Sequence, residues 1–131
     1  MTAPRPGLAA ELSRVVTAAD TAAAVGSGDV PLLATPRLLA WLEAASVAAL
    51  EGVLADGVTS VGSRIDLEHV APSPVGMTVT ARAEIAAVDG RLVQFDVVAL
   101  HPDGKVVAHG RITRVSVDRD RFVARSAGAG Q

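Results

Sequence analysis

The sequence predicts an α+β fold in which an antiparallel β-sheet wraps around one long central helix. The helix is indicated by the run from Thr35 to Ala55, which is rich in Ala and Leu. The sheet is indicated by the segments after it, where apolar and polar residues alternate between turn sequences. Short connections between such strands favour antiparallel pairing. A length of 131 residues suits one domain, 1–131, in which we expect residues 1–7 and 119–131 to be flexible.

The composition restricts the kind of protein. Half of the residues are hydrophobic but only 2% are aromatic, so the core must use Ala, Val and Leu, and part of the burial is expected at a subunit interface. A net charge of −2 without a basic run argues against a nucleic-acid partner. The absence of cysteine excludes disulfides, thiolate metal sites and cysteine nucleophiles. No leader pattern and no apolar run of roughly 18 residues is present, so we expect a soluble, cytoplasmic protein without a membrane partner.

The long helix carries the first candidate residues. Thr35 is predicted to cap its N-terminus and Pro36 to occupy its first position. Between Leu38 and Leu50 only Glu43 and Ser46 are polar, which predicts a helix buried on every side. Glu43 would then be a buried carboxylate. It could make a structural hydrogen bond, face a dimer interface, or act as a base or nucleophile in a dry pocket.

The segments before the helix are short. Glu11 to Thr17 is predicted to be a strand, with a short helix as the alternative, and Asp20 to Val25 fits one or two helical turns. The Gly-containing stretch from Gly26 to Asp29 is either a plain connector or a lid.

Four strands are predicted after the helix, joined in sequence as a meander. The first begins at Val61 and directs alternate residues, ending with His69, toward the helix. The others span Met77 to Val88, Arg91 to His101 and Lys105 to Val117. Alternation places Met77, Val79, Ala81, Ala83 and Ile85 on one face of the first of these, and Val93, Phe95, Val97 and Ala99 on the inward face of the next. Asp89-Gly90 and Pro102-Asp103-Gly104 predict the hairpin turns, and a slip in the alternation between Ile112 and Val115 predicts a bulge.

Three histidines are candidate ligands or catalysts. His69 lies at a strand end on the helix side, whereas His101 and His109 are predicted to be surface residues; their spacing matches no metal site. A single inward histidine is usually a core or rim residue, but a glutamate on the facing helix favours a catalytic role for His69. Thr35 and Glu43 are eight positions apart, about 12 Å along a helix axis. A ligand would have to bridge them, or they would meet across two subunits.

These residues and their order resemble the hot-dog thioesterases similar to fluoroacetyl-CoA thioesterase. The similarity extends from about Leu12 to Val117 and is carried by ATPRLLAWLEAAS, from Ala34, and EHVAPSPVGMTVTA, from Glu68. It implies a hot-dog fold, a homodimer with the site along its interface, and a coenzyme A thioester as substrate, with no other cofactor and no metal. It also implies a catalytic set in which Glu43 is base or nucleophile, His69 shuttles a proton and Thr35 orients the reacting group. Pro36 and Gly76 are expected to bind substrate.

Two departures from the fluoroacetyl-specific members affect the expected substrate. The first is that Pro36-Arg37 follows Thr35, where those enzymes have a glycine. The second is that Ala22 to Leu33 contains no aromatic residue, whereas the corresponding segment of those enzymes closes the pocket with aromatic side chains. We therefore expect hydrolysis of a short- or medium-chain acyl-CoA to acid plus thiol. The alternatives are a non-catalytic dimeric module that binds a small apolar or acyl ligand, and hydration of an enoyl thioester.

Overall fold

The fold is a five-stranded antiparallel sheet with one long helix packed on it. The computed structural model describes residues 3–128, and the predictions for residues 1, 2 and 129–131 lie outside this range. The elements are β1 (Ala9–Val15), a 3₁₀ turn (Ala18–Asp20), α1 (Ala22–Val25), α2 (Thr35–Ala49), β2 (Val58–His69), β3 (Thr78–Asp89), β4 (Leu92–Leu100), β5 (Val106–Asp118) and α3 (Arg119–Gly128). The predicted α+β architecture is confirmed.

The core lies between α2 and one face of the sheet. The helix packs mainly on β3 and β1 and less on β2 and β4. Alternation correctly predicted the inward residues of β3 and β4, which are buried: Val79, Ala81, Ala83, Ile85, Val93, Phe95, Val97 and Ala99. The helix contributes Leu38, Trp41, Leu42, Ala45, Ser46 and Ala49. The small strand residues leave room for the helix to lie close to the sheet.

The expectation that α2 is buried on every side is wrong for a single protomer. Its side away from the sheet is exposed and almost wholly apolar, and includes Ala40, Ala44, Val47 and Ala48. The sheet reaches only one side of the helix, so the apolar residues of the other side have no cover within the chain. We call these four residues the outer face of α2.

The strands after the helix are not a simple meander. β3, β4 and β5 follow one another, but the sheet order is β1-β3-β4-β5-β2, so β2 pairs with β5 at the far edge. The bulge predicted between Ile112 and Val115 lies instead in the paired strand β2, where Ser63 is the extra residue between Gly62 and Arg64. Gly62 and Ser60, rather than Val61 and Ser63, therefore share the helix side of the sheet with Ile65, Leu67 and His69.

Two terminal features complete the fold. The backbone N–H of Gly7 donates to the carbonyl of Ile85 at 2.9 Å, which holds the start of the described chain beside β3. The segment after Asp118, for which no helix was predicted, forms α3, and its side chains are all exposed. Within residues 3–128 no helix has the length and hydrophobicity that a membrane span requires.

Candidate active site

A hydrogen bond joins the start of α2 to the end of β2. The Thr35 hydroxyl lies 2.8 Å from Nδ1 of His69. Thr35 is the first residue of the helix and Ala34 is its N-cap, without a side-chain capping bond. The prediction that Thr35 caps the helix is therefore wrong. Its hydroxyl is directed to His69 instead of to a backbone N–H group, which makes it available for chemistry at the imidazole.

The other ring nitrogen of His69 is free for a reaction. Nε2 is buried and makes no hydrogen bond with the described residues. Burial lowers the pKa of His69 from its ordinary value of 6.5, and the nearby backbone of Ala71 acts in the opposite direction. The ring is therefore neutral at pH 7. With one nitrogen bonded to Thr35, Nε2 can accept or donate a proton according to the tautomer.

Thr35 and His69 both line one cavity of about 400 Å³. Its remaining walls come from the segment before α2 and from the chain just after β2: Ala22, Ser27, Gly28, Asp29, Val30, Leu32, Leu33, Val70, Ala71 and Pro72. None of the described lining residues is aromatic. The Gly26–Asp29 stretch, predicted to be a connector or a lid, thus contributes to the wall over Thr35 and His69.

Glu43 lies elsewhere in the protomer, in an ion pair with Arg114 of β5. Its Oε2 is 3.1 Å from Nη1 of Arg114, and 36% of the Glu43 side chain is exposed against 8% for Arg114. The buried guanidinium also donates to the hydroxyl of Ser60 at 2.8 Å and to its carbonyl at 3.1 Å. The expectation of a buried, dry carboxylate is wrong for a single protomer, because α2 presents Glu43 at the boundary of its outer face and an ion pair with Arg114 holds it there.

The backbone of β2 makes room for this carboxylate. Gly62 pairs with Arg114 across the two strands, and a Cβ at Gly62 would lie 2.6 Å from Oε2 of Glu43. Only glycine allows the carboxylate its observed position. The bulge at Ser63 brings Gly62 to the helix side, and alternation alone could not reveal it.

The structure thus brings together two of the three predicted catalytic residues within one protomer. Glu43 is two turns further along α2 and does not line the Thr35–His69 cavity. Pro36 is exposed on the first turn of the helix. Gly76 has φ +94° and donates its N–H to the carbonyl of Val16 at 2.8 Å. Neither Pro36 nor Gly76 lines the cavity, and their substrate-binding role stays a prediction.

Sequence reasoning missed two polar residues of structural importance. Arg114 is a charged residue and is nevertheless buried. The only sign of this in the sequence was the slip in the alternation between Ile112 and Val115. His101, predicted to be a surface residue, is buried with its Nε2 2.7 Å from the hydroxyl of Ser73. The third histidine, His109, is exposed as predicted and lies 3.6 Å from Glu68.

Two comparisons of the sequence with known proteins point to the same family. The model of the fluoroacetyl-CoA-specific thioesterase (FlK) family matches residues 16–120. The fluoroacetyl-CoA thioesterase of Streptantibioticus cattleyicolor is 32% identical over 94 residues, covering 72% of this chain and 67% of that protein.

Solved structures extend the similarity to the whole fold. The structure of the fluoroacetyl-CoA thioesterase FlK aligns with a TM-score of 0.88 at 26% identity, covering 96% of this chain and 97% of the other. A thioesterase superfamily member from Thermus thermophilus aligns with a TM-score of 0.87 at 26% identity over 94% and 90%. A hot-dog-like protein from Thermanaerovibrio acidaminovorans gives a TM-score of 0.85 at 27% identity over 94% and 90%. The chain therefore belongs to the fluoroacetyl-CoA-specific thioesterase family and is a thioester hydrolase with the hot-dog fold.

Proposed function

We propose that the protein hydrolyses a short- or medium-chain acyl-CoA at the Thr35–His69 cavity. The observation that carries the proposal is the 2.8 Å bond between these two side chains at the wall of the cavity, with Nε2 of His69 buried and unbonded. A neutral imidazole fixed at one nitrogen is suited to pass a proton through the other. The absence of aromatic side chains among the described lining residues supports a broader acyl group than fluoroacetyl.

The start of α2 supplies the electrostatic part of the site. The first backbone hydrogen bond of the helix runs from the N–H of Leu38 to the carbonyl of Ala34. The N–H groups before it have no partner within the helix and lie at the positive end of its dipole. A thioester carbonyl that enters beside Thr35 would be polarised there, and negative charge on its oxygen would be stabilised in the transition state.

A homodimer completes the site in this proposal. The outer face of α2 is apolar and uncovered, and Val47 is 50% exposed. β2 is a twelve-residue edge strand whose second edge has no strand partner in residues 3–128. Both features are liabilities unless a second copy covers them. If two α2 helices pack antiparallel with the two-fold axis near Leu39, midway between Thr35 and Glu43, Glu43 of the partner subunit lies level with Thr35.

The reaction then divides among three side chains. Glu43 of the partner subunit either removes a proton from water or attacks the carbonyl carbon itself. The C–S bond breaks, and neutral His69, which Thr35 orients, takes up at Nε2 the proton that water loses and passes it to the departing sulfur. Water supplies the hydroxyl of the product acid, so one acyl thioester and one water give one acid and one thiol. The cytoplasmic location predicted from the sequence stays a prediction.

A non-catalytic binding module is the second candidate, and the Glu43–Arg114 ion pair favours it. In this alternative Glu43 serves only to neutralise the buried guanidinium, at 3.1 Å. The protein would then retain an acyl ligand in the cavity without turnover.

Thiol release from a panel of acyl-CoAs separates the two candidates. We expect turnover by the native protein and its loss in His69→Asn and Glu43→Gln. The glutamine variant is preferred to alanine because it keeps a hydrogen-bond acceptor for the buried Arg114. His109→Gln, a change at an exposed histidine, is the matched control. Full turnover in Glu43→Gln would refute the mechanism, and a folded native protein that binds acyl-CoA without releasing thiol would establish the binding module.

A further inference from the structure

A second buried pair of side chains lies behind the cavity. The hydroxyl of Ser73 is 2.7 Å from Nε2 of His101. Ser73 is completely buried and His101 is 9% exposed, and neither residue lines the cavity that contains Thr35 and His69. The proposed reaction therefore does not use this pair, yet its polar atoms are buried in a small protein where each requires a partner.

Ser73 is connected to the strand that carries His69. It follows His69 by four residues, and the intervening N–H groups of Val70 and Ala71 both donate to the carbonyl of Val107 in β5, at 2.8 and 3.2 Å. The exit of the chain from β2 is thus fixed to the sheet. Beyond this point Ser73 itself has to hold the segment in place.

Ser73 is also connected to the segment that carries Thr35. Its carbonyl accepts the N–H of Leu33 at 2.9 Å, and the neighbouring residues Leu32 and Pro74 form an antiparallel bridge. Leu33 precedes Thr35 by two residues. One residue therefore links the chain just before Thr35 to the chain just after His69.

The side-chain bond to His101 matters because the backbone of this segment offers few hydrogen bonds. Pro72 and Pro74 flank Ser73 and have no N–H group. His101 provides a fixed anchor, since its N–H donates to the carbonyl of Lys105 and its carbonyl accepts the N–H of Gly104, both at 2.9 Å. Removal of either side chain would leave the other buried polar group unsatisfied and would release the segment from the chain that follows β4.

We infer that Ser73 and His101 are positioning residues, whose hydrogen bond holds the segments of Thr35 and His69 in register for the reaction. The inference rests on the proposed function. A misplacement of about 1 Å in a reacting group lowers a rate by roughly a hundredfold. A loosened segment would therefore reduce kcat, while KM changes little because the cavity walls keep their side chains.

Four variants test this role: Ser73→Ala, His101→Leu, His101→Gln and Ile85→Val. Glutamine places a polar atom close to the position of Nε2, so His101→Gln should keep most of the native kcat. Ser73→Ala and His101→Leu should each lose roughly tenfold to a hundredfold in kcat. Ile85→Val removes a buried methylene in β3 away from the segment and is the control for a general loss of stability.

An NMR titration of the His69 imidazole gives a second readout that does not depend on turnover. Water that enters around a loosened His69 should raise its pKa toward 6.5 in His101→Leu, and leave it unchanged in His101→Gln and Ile85→Val. Asp29, the charged side chain that shares the cavity with His69, is present in every variant. Native kcat and an unchanged titration in Ser73→Ala and His101→Leu would overturn this inference and leave the proposed function intact. If the native protein releases no thiol, the proposed function fails, and the titration still decides whether the pair positions His69.

Discussion

At the scale of single residues, the state of His69 sets the expected pH dependence. Burial lowers its pKa below 6.5, and the neutral ring is the form that can exchange a proton with the substrate. We expect kcat/KM to fall as the pH decreases through this lowered pKa. Measurement between pH 5 and 8, with the imidazole assigned by NMR, checks it. An acid limb with its midpoint at or above 6.5, or one that is unchanged in His69→Asn, would contradict the assignment.

The same shift affects stability, and its direction follows from proton binding. The unfolded state takes up a proton on His69 at a higher pH than the folded state does, so acid favours unfolding. The neutral ring makes its full contribution to the free energy of unfolding above pH 6.5. This contribution is lost as the pH falls from 6.5 toward the lowered pKa of His69 in the folded protein. The free energy of unfolding in urea should therefore decrease less in His69→Asn than in the native protein between pH 7.5 and 5.

Gly62 provides a residue-level test of the position of Glu43. A methyl group at Gly62 would lie 2.6 Å from Oε2 of Glu43, the movable end of a long side chain. We expect Gly62→Ala to keep the native stability within about 1 kcal/mol, since alanine also restricts the unfolded chain. Thiol release should nevertheless fall by tenfold or more, because the carboxylate is displaced. Native turnover in a folded Gly62→Ala protein would show that this position of Glu43 is not needed for activity.

At the scale of elements, Gly110 is the matched counterpart of Gly62. Both glycines lie in the β2–β5 pair, but a Cβ at Gly110 would meet the backbone carbonyl oxygen of Asp66. Backbone cannot move aside without separating β2 from β5. Gly110→Ala should therefore cost about 2 kcal/mol or more of unfolding free energy. Thermal unfolding beside Gly62→Ala checks this, and equal melting temperatures for the two variants would refute it.

The elements also show how far the sequence could be interpreted. Alternation identified β3 and β4 and their inward residues, because each strand has one regular core face. Alternation predicted the bulge in β5 instead of β2, because a two-residue period does not show which strand carries the extra residue, here Ser63. It could not pair β2 with β5, since strand order depends on packing over the whole sheet. The exposed helix α3 has no core face, and its sequence carried no apolar pattern.

The candidate site was predictable to a different degree. The residue pattern singled out Thr35 and Glu43 and placed His69 on the helix side, and the family resemblance joined the three into a catalytic set. The hydroxyl of Thr35 could bond a backbone N–H or an imidazole. Which of the two it bonds depends on His69 at the end of β2, 34 positions away along the chain. The burial of Arg114 and of His101 was not visible either. Each is stabilised by a serine that is distant in sequence, and a single sequence does not show such pairs.

At the scale of the whole molecule, the outer face of α2 predicts how a dimer could be broken. A carboxylate at Ala40, on that face and next to the midpoint between Thr35 and Glu43, would be repelled by its symmetry mate if two helices pack there. We expect Ala40→Glu to sediment as a monomer and to release no thiol, while its circular dichroism stays native. A control with the same change in charge is Arg82→Ala, at a half-buried residue of β3, which should remain a dimer. A monomeric native protein with full activity would remove the need for a shared site.

Mixing two inactive variants would show which protomer supplies Glu43. Suppose that Glu43 acts across the interface. In a heterodimer of the two variants, one site then combines the native His69 of the Glu43→Gln chain with the native Glu43 of the His69→Asn chain. Its second site carries both substitutions. Random reassortment makes half of the dimers mixed, so the mixture should recover about a quarter of the native rate. Unmixed variants, and a mixture kept below the exchange time, should stay inactive. A reassorted mixture without activity would place all three residues of each site in one protomer. The side chain of Glu43 would then have to leave Arg114 and turn toward the start of α2 to reach the Thr35–His69 pair.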